Sequence, residues 1–468
     1  MCPVFCYNET MSKVVKKKEG EEKPKEEVKN DSPKEGKVEA KNVAEKKNVE
    51  NKGVYFVSVT KSLKDFRGLV NKVIKLEHDQ IPIIDLVDNI VGDASVSRAS
   101  DIHIDPAEKK VVIRFRVDGV LHDIYELPKE IQSEVITRIK VLSGLRTDEH
   151  RAAQDGRFRL NIEGLNVDVR VSIAPTYYGE NGVLRLLSEK GEAYTLEAMG
   201  FRGRDLEIVT RNMHKPYGMI LATGPTGSGK TTTLYTILKM LSTKEVAIIT
   251  IEDPVEYAIE GIEQIQVNPR TGLTFADGLR SILRQDPNIV MVGEIRDQEA
   301  AGIAVNAALT GHLLLSTIHT NDAPTTLPRL LDMGIEPFLI ASTVNIAIGQ
   351  RLVRKLCDKC KTKKDISPEE LKSLARAIPE KLLAGHKTFY YGAGCDNCDK
   401  SGYKGRIGIY EVLEMDDELR SALLRNADSS EIKRIAMKNG MTTMTEDGFL
   451  KALDGLTTIE EILRVTHE

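Results

Sequence analysis

The residues Gly224-Pro225-Thr226-Gly227-Ser228-Gly229-Lys230-Thr231 match the pattern G-x-x-x-x-G-K-[ST] in full. Glycines at those positions let a backbone wrap a polyphosphate with its N–H groups. A helix starting at the lysine adds positive potential. Lys230 would reach the β- and γ-phosphates, Thr231 would ligate Mg²⁺, and Thr232 completes the binding set. The apolar run before the loop reads as a strand. Leu234, Ile237, Leu238 and Leu241 behind it define a helix face. A phosphate-binding loop requires that strand–loop–helix context, and an ordinary glycine-rich turn does not.

Three further apolar runs end in reactive residues. Residues 246–251 lead into Glu252-Asp253-Pro254-Val255-Glu256, 288–292 into Gly293-Glu294-Ile295-Arg296-Asp297, and 312–318 into His319-Thr320-Asn321. In an open parallel sheet, ligands bind beyond the C-terminal strand edges. If these strands are neighbours, Lys230, Glu252, Glu294 and His319 gather around one magnesium triphosphate. A carboxylate after a buried strand suits Mg²⁺, its waters, or the attacking water. Glu294 fits that role, with Glu252 and Glu256 as a second candidate pair. His319 would sense the γ-phosphate or place a water. One acidic strand end alone is more often a loop or a helix cap; four coinciding ends carry the argument. No Asn-Lys-x-Asp guanine-reading motif follows the loop, so ATP is expected over GTP.

The 468 residues carry 66 basic and 70 acidic side chains, a formal net charge of −4. This balance excludes a strongly basic nucleic-acid coat protein and leaves room for a local basic face. Apolar residues make up 41%, enough for packed cores over most of the chain. At about 150 residues per domain the length suggests roughly three domains. No apolar run approaches the ~18 residues that span a bilayer, so the chain is expected in the cytoplasm.

Residues 1–52 are mostly Lys, Glu and Asn beyond residue 11 and read as a disordered charged tail. Residues 53–188 read as a smaller mixed α/β domain. It has helices over 81–91 and 131–142, and alternating strands around 111–117, 158–162 and 167–171. Arg114, Arg116, Arg157, Arg159 and Arg170 fall on the strand face opposite the apolar residues, and Arg185 follows in a short strand. Such a face suits either phosphate oxygens or plain solvent. Residues 189–204 read as a linker. From 205 to 468, apolar runs alternate with helical segments, the signature of a parallel-rich sheet with crossover helices, here a RecA-like P-loop NTPase domain. Residues 300–309 and 337–348 are expected to be helical and packed in its core.

Cys357-Asp-Lys-Cys360 and Cys395-Asp-Asn-Cys398 enclose 34 residues. Each C-x-x-C turn brings two thiolates to one ion, and two turns close a tetrahedron that suits Zn²⁺. The site would staple a small element, 355–400, with little core of its own. Four protein ligands leave no open position, so the role is structural.

These residues resemble the secretion ATPases of type II secretion and type IV pilus assembly. The resemblance covers about 79–468. It rests on the loop at 224–231, the acidic box Ile251-Glu-Asp-Pro-Val-Glu256, Gly293-Glu294, and a histidine box from Gly311-His312 to His319. In the first domain it rests on Ala99-Ser-Asp-Ile-His-Ile104, Arg114-Phe-Arg-Val-Asp-Gly119, Gln154-Asp-Gly-Arg157 and Arg170-Val-Ser. The resemblance implies a homohexamer with ATP between the two domains, and first-domain arginines, best matched by Arg170 and Arg185, on the phosphates. It implies a polytopic inner-membrane platform protein as partner, peripheral placement at the inner membrane face, and no stable nucleic-acid partner. In that family the tetracysteine element marks assembly motors, whereas retraction motors are generally without it. A nucleic-acid-translocating motor, a pilus retraction ATPase and a nucleotide-gated scaffold are the competing readings. Aromatics at 5% and the lack of Trp argue against the first, which needs stacking residues.

Overall fold

The computed structural model describes residues 56–59, 66–162, 165–188, 195–365 and 388–466. The tail expected over 1–52 lies outside them, as do residues 189–194 of the expected linker. The rest of that linker is ordered: it forms the short helix Leu196–Met199 and enters the helix Gly203–Met213.

The first sheet holds seven strands: β1 (Phe56–Val59), β2 (Ala99–Pro106), β3 (Lys110–Val117), β4 (Val120–Pro128), β5 (Gln154–Ile162), β6 (Leu165–Thr176) and β7 (Gly179–Ser188). Their order is β1-β5-β6-β7-β2-β3-β4, antiparallel except for the β1–β5 pair. Alternation is visible in β3, where Val111, Ile113 and Phe115 are buried while Arg114 and Arg116 stay half-exposed. The helices Ile83–Val96 and Gln132–Leu142 contribute Leu86, Ile90, Val135 and Ile139 to the same core.

The second sheet also has seven strands: β8 (Gly218–Thr223), β9 (Ile248–Glu252), β10 (Glu263–Gln266), β11 (Ile289–Val292), β12 (Leu313–Ile318), β13 (Val344–Leu356) and, beyond a two-stranded ribbon of β14 (Lys361–Asp365) and β15 (Thr388–Gly392), β16 (Tyr403–Glu414). The order is β10-β9-β11-β12-β8-β13-β16, and all pairs are parallel except β13–β16. Every residue of β8, β9, β11 and β12 is buried, because crossover helices cover both faces. Continuous apolar runs are what such strands require.

The helix expected over 337–348 is corrected. Only Pro337–Thr343 is helical, and Val344 begins β13, which pairs with β8 on one side and β16 on the other. The apolar run has no period of its own, and the β-branched Val344, Ile346 and Ile348 satisfy the open edge of β8. The helix expected over 300–309 begins two residues earlier. It is capped by Asp297, whose carboxylate accepts the Ala300 N–H at 2.8 Å. Among the described residues no helix is long and apolar enough to cross a membrane.

Candidate active site

The strand order sets the site. β8 lies beside β12, β12 beside β11, and β11 beside β9, so the segments that follow these strands leave one edge of the sheet together. The loop after β8 turns into the helix Lys230–Leu241 through three glycines with positive φ: Gly224, Gly227 and Gly229. A Cβ on Gly224 would lie 2.5 Å from the Gln350 carbonyl oxygen and 2.7 Å from Ser228 Oγ, so no larger residue fits. Pro225, Thr226 and Gly227 are exposed, whereas Ser228 is buried and its hydroxyl has no hydrogen-bond partner. A phosphate oxygen would satisfy that orphan. Thr231 and Thr232 are half-buried in the first helical turn.

Lys230 is buried, and its Nζ donates to the carbonyls of Gly224 at 2.8 Å and Pro225 at 3.1 Å. The lysine is thus folded over the rim of its own loop. Desolvation lowers its pKa, the Glu294 charge opposes this, and Arg351 adds to it. Glu294 and Lys230 therefore share one electrostatic environment. Glu294 accepts from Arg296 and stands 3.1 Å from His319 Nε2. Burial pushes its carboxyl up, but the Arg296 and His319 contacts outweigh this and hold it below the usual range.

Glu252 and Glu256 sit differently. Glu252 is buried and accepts from the Tyr235 hydroxyl, from Thr250 Oγ1 at 2.6 Å and from Gln264 Nε2 at 3.1 Å. These partners lie on the helix behind the loop and on the sheet, not on the loop itself. Glu256 pairs with Arg170 at 3.0 Å, and Arg170 also donates to the Val255 carbonyl at 2.6 Å. This arginine, on β6 of the first sheet, is thereby tied to the acidic box of the second. Arg185 is not: its Nε bonds Asp101 of its own sheet at 3.1 Å. The structure therefore brings Lys230, Glu294 and His319 to one place, commits Glu252 to an internal network, and separates the two candidate arginines.

The four cysteines form a cluster whose sulfurs lie within 4.8 Å of one another. Cys357 and Cys395 are 3.8 Å apart, Cys360 and Cys398 3.8 Å, and Cys395 and Cys398 3.7 Å. Disulfides need about 2.05 Å. A tetrahedron with metal–sulfur bonds of about 2.3 Å has edges of about 3.8 Å. The donor set therefore fits a four-coordinate ion. Its surroundings lower the Cys357 and Cys398 thiols, whereas burial pushes the Cys360 thiol up to about 12, a cost that a bound cation would offset. Asn397 Nδ2 is 3.4 Å from Cys357 Sγ and is the largest influence holding that thiol down at about 6. The N–H groups of Cys395 and Gly402 point at Cys398 Sγ from 3.2 and 3.3 Å.

Comparison with known proteins agrees with this architecture. The family described as Type II/IV secretion system protein matches residues 76–464. The chain belongs to that family. It is 47% identical over 392 residues to the Type II secretion system protein E of Pseudomonas aeruginosa, covering 84% of this chain and 77% of the relative. It is also 47% identical over 393 residues to the Type IV pilus assembly ATPase PilB of Thermus thermophilus, covering 84% of this chain and 44% of that longer protein. A crystal structure of the pilus retraction motor PilT with bound ADP superposes with a TM-score of 0.55 at 25% identity, covering 81% of this chain and 96% of that one. The chain is an ATPase of the secretion and pilus-assembly family, with the mixed α/β fold and parallel-rich sheet of that family.

Sequence reasoning missed part of this secretion ATPase's site. Gln350 of β13 is buried, donates to the Ser228 carbonyl at 2.8 Å and accepts from Thr233 Oγ1 at 2.9 Å, so it braces the loop from the next strand. Arg351 donates to the Asn321 carbonyl at 2.9 Å, joining the loop after β12. Tyr235 joins Glu252 to the Glu256 backbone. A signal for the first two exists: Gly349-Gln350-Arg351 interrupts a long apolar run.

Proposed function

We propose that this chain is the assembly motor of a type IV pilus or a type II secretion pseudopilus. It acts as a homohexamer at the inner face of the cytoplasmic membrane, where a polytopic platform protein holds it. Its two domains, over 53–188 and 205–468, are joined by 189–204 and rotate against each other as ATP is turned over. The relatives named for type II secretion and pilus assembly support the mechanical output. The His319–Glu294 pair beside Lys230 is the observation that carries the chemistry.

In this reading the 224–229 backbone wraps the triphosphate, and Lys230 exchanges its two loop carbonyls for β- and γ-phosphate oxygens. Thr231 would hold Mg²⁺, which neutralises charge on those oxygens. Glu294 orients the attacking water and takes up its proton. His319 fixes that carboxylate and faces the γ-phosphate. The water oxygen bonds to the γ-phosphorus as the bond to the bridging oxygen breaks, releasing ADP and phosphate. Arg170, and in its turn Arg185, supplies guanidinium charge to the phosphates, with Glu256 holding Arg170 between cycles. Glu252 keeps Tyr235 and the acidic box in register. Zn²⁺ is the ion proposed for Cys357, Cys360, Cys395 and Cys398.

The test is phosphate release by the purified chain with Mg²⁺ and ATP. It is run alone, with the cytoplasmic domains of a co-encoded polytopic membrane protein, and with duplex DNA. Stimulation by the membrane protein's domains is expected. Stimulation by DNA alone, falling steeply with salt, would overturn the secretion reading.

A further inference from the structure

The buried carboxylate of Glu411 has no place in the mechanism above. It is 1% exposed, lies on β16 and pairs across the sheet with Gly349 of β13. Its Oε1 accepts the backbone N–H of Ala323 at 2.6 Å, a contact between residues 88 apart in sequence. Ala323 belongs to the segment between β12 and the helix Thr326–Asp332, the segment that begins with His319.

Three side chains from three strands hold that segment. Thr223, at the end of β8, accepts from Thr320 N at 3.0 Å and donates to Thr320 O at 2.9 Å. Arg351 of β13 holds the Asn321 carbonyl at 2.9 Å. Glu411 of β16 holds the Ala323 N–H. Gly349 is what lets the last contact form: a Cβ there would lie 2.8 Å from Glu411 Cγ and 3.0 Å from Ala323 N.

A carboxylate in this position carries a cost that its hydrogen bonds offset only in part. Burial, unfavourable to the charge, is the largest influence and pushes the Glu411 carboxyl up to about 7. The Ala323 N–H opposes it, Asp322 adds to it, and Lys433 and the Met444 N–H oppose it. An apolar side chain of similar volume would avoid that cost but would leave the Ala323 N–H without its acceptor.

We propose that Glu411 is a positioning residue for ATP hydrolysis: through the Ala323 N–H it fixes the segment that presents His319 to Glu294. The proposal rests on the reading of His319 and Glu294 as the hydrolytic pair. Displacement of this kind affects turnover more than nucleotide binding, because the brace on the P-loop is Gln350, which donates to the Ser228 carbonyl, and not Glu411.

The experiment compares Glu411→Met, Glu411→Gln and His319→Ala with wild type, measuring kcat and KM for ATP, the affinity for a fluorescent ADP analogue, and the melting temperature. Glu411→Met is expected to lower kcat about tenfold or more with KM and ADP affinity within about twofold. Glu411→Gln should recover most of that loss, because its amide oxygen accepts the same N–H. If Glu411→Met does not fold, Glu411→Leu, which likewise removes the acceptor of the Ala323 N–H, should give the same split. Wild-type kcat in Glu411→Met overturns the proposal, as does equal loss of kcat and ADP affinity, or no recovery with Gln. Full turnover by His319→Ala instead overturns the underlying reading of the pair. Loss in His319→Ala without loss in Glu411→Met overturns the positioning role alone.

Discussion

His319 Nε2 lies 3.1 Å from a carboxylate oxygen of Glu294, across 25 residues of sequence. The two strands they follow, β11 and β12, are hydrogen-bonded neighbours, so the pair is a direct product of sheet order. The other Glu294 oxygen faces Arg296. A carboxylate held on both sides, and kept ionised by those contacts, is suited to orient a water and not to donate a proton. Glu294→Gln keeps the shape and removes the charge. It is expected to lower kcat by about 10²–10⁴-fold while ADP still binds. Single-turnover phosphate release checks this, and a variant within threefold of wild type would refute the assignment.

The cysteine cluster predicts one tightly held metal ion per chain, read by elemental analysis of purified protein. Among the described residues the element around it has few buried apolar side chains of its own, so the ion contributes to its folding. Cys357→Ser is expected to lower metal content and the melting temperature together. Full stability with no metal would show that the four thiols are merely adjacent.

Much of this site is legible in sequence because its parts are local. The glycines of 224–229 each answer to a backbone demand within the loop, and β8, β11 and β12 announce themselves as apolar runs because both faces are covered. What escaped is non-local. Val344 and its neighbours read as helix because nothing nearby says that β16, far along the chain, will pair with them. Glu252 looks like a metal-facing carboxylate by position, and only the fold shows Tyr235 reaching it from the helix behind. Arg170 and Arg185 are indistinguishable as alternate strand residues. Asp101, on a strand that is distant in sequence but adjacent in space, is what separates them.

Asp205 gives a pH prediction. Its carboxylate is buried in the first turn of the helix Gly203–Met213, and Oδ1 has no hydrogen-bond partner. Burial, and then the charge of Asp447, push its carboxyl up to about 7, against Arg204, Lys451 and Arg202. The folded chain therefore keeps a proton there that the unfolded chain releases near pH 4. Stability contributed by this group is lost as pH rises through that window, and the loss is complete above 7. Asp205→Asn should stabilise the protein by about 1–2 kcal/mol at pH 8, less as pH falls towards 4. Urea midpoints across that range decide it; a gain that grows on acidification would contradict the sign.

Arg170 and Arg185 are paired across β6 and β7, and the same register places Arg157 beside Arg170 and Asp101 beside Arg185. Like charges placed opposite each other repel unless an anion lies between them. Asp101 serves Arg185 at 3.1 Å and Arg116 at 3.5 Å, whereas Arg170 turns to Glu256 and the Val255 carbonyl. Arg170 is thus the member of the row that touches the acidic box following β9. Its ion pair is partly exposed, so breaking it should cost less than about 1 kcal/mol of stability. Its effect on turnover should be larger, because a guanidinium that meets transition-state charge acts on kcat. Arg170→Ala is expected to reduce kcat at least about tenfold with an unchanged melting temperature. Arg170→Lys should not restore it, since a single ammonium cannot grip two acceptors in a fixed plane. Steady-state turnover of both variants beside thermal melts measures the split, and wild-type kcat in Arg170→Ala would confine the arginine to holding the two sheets together.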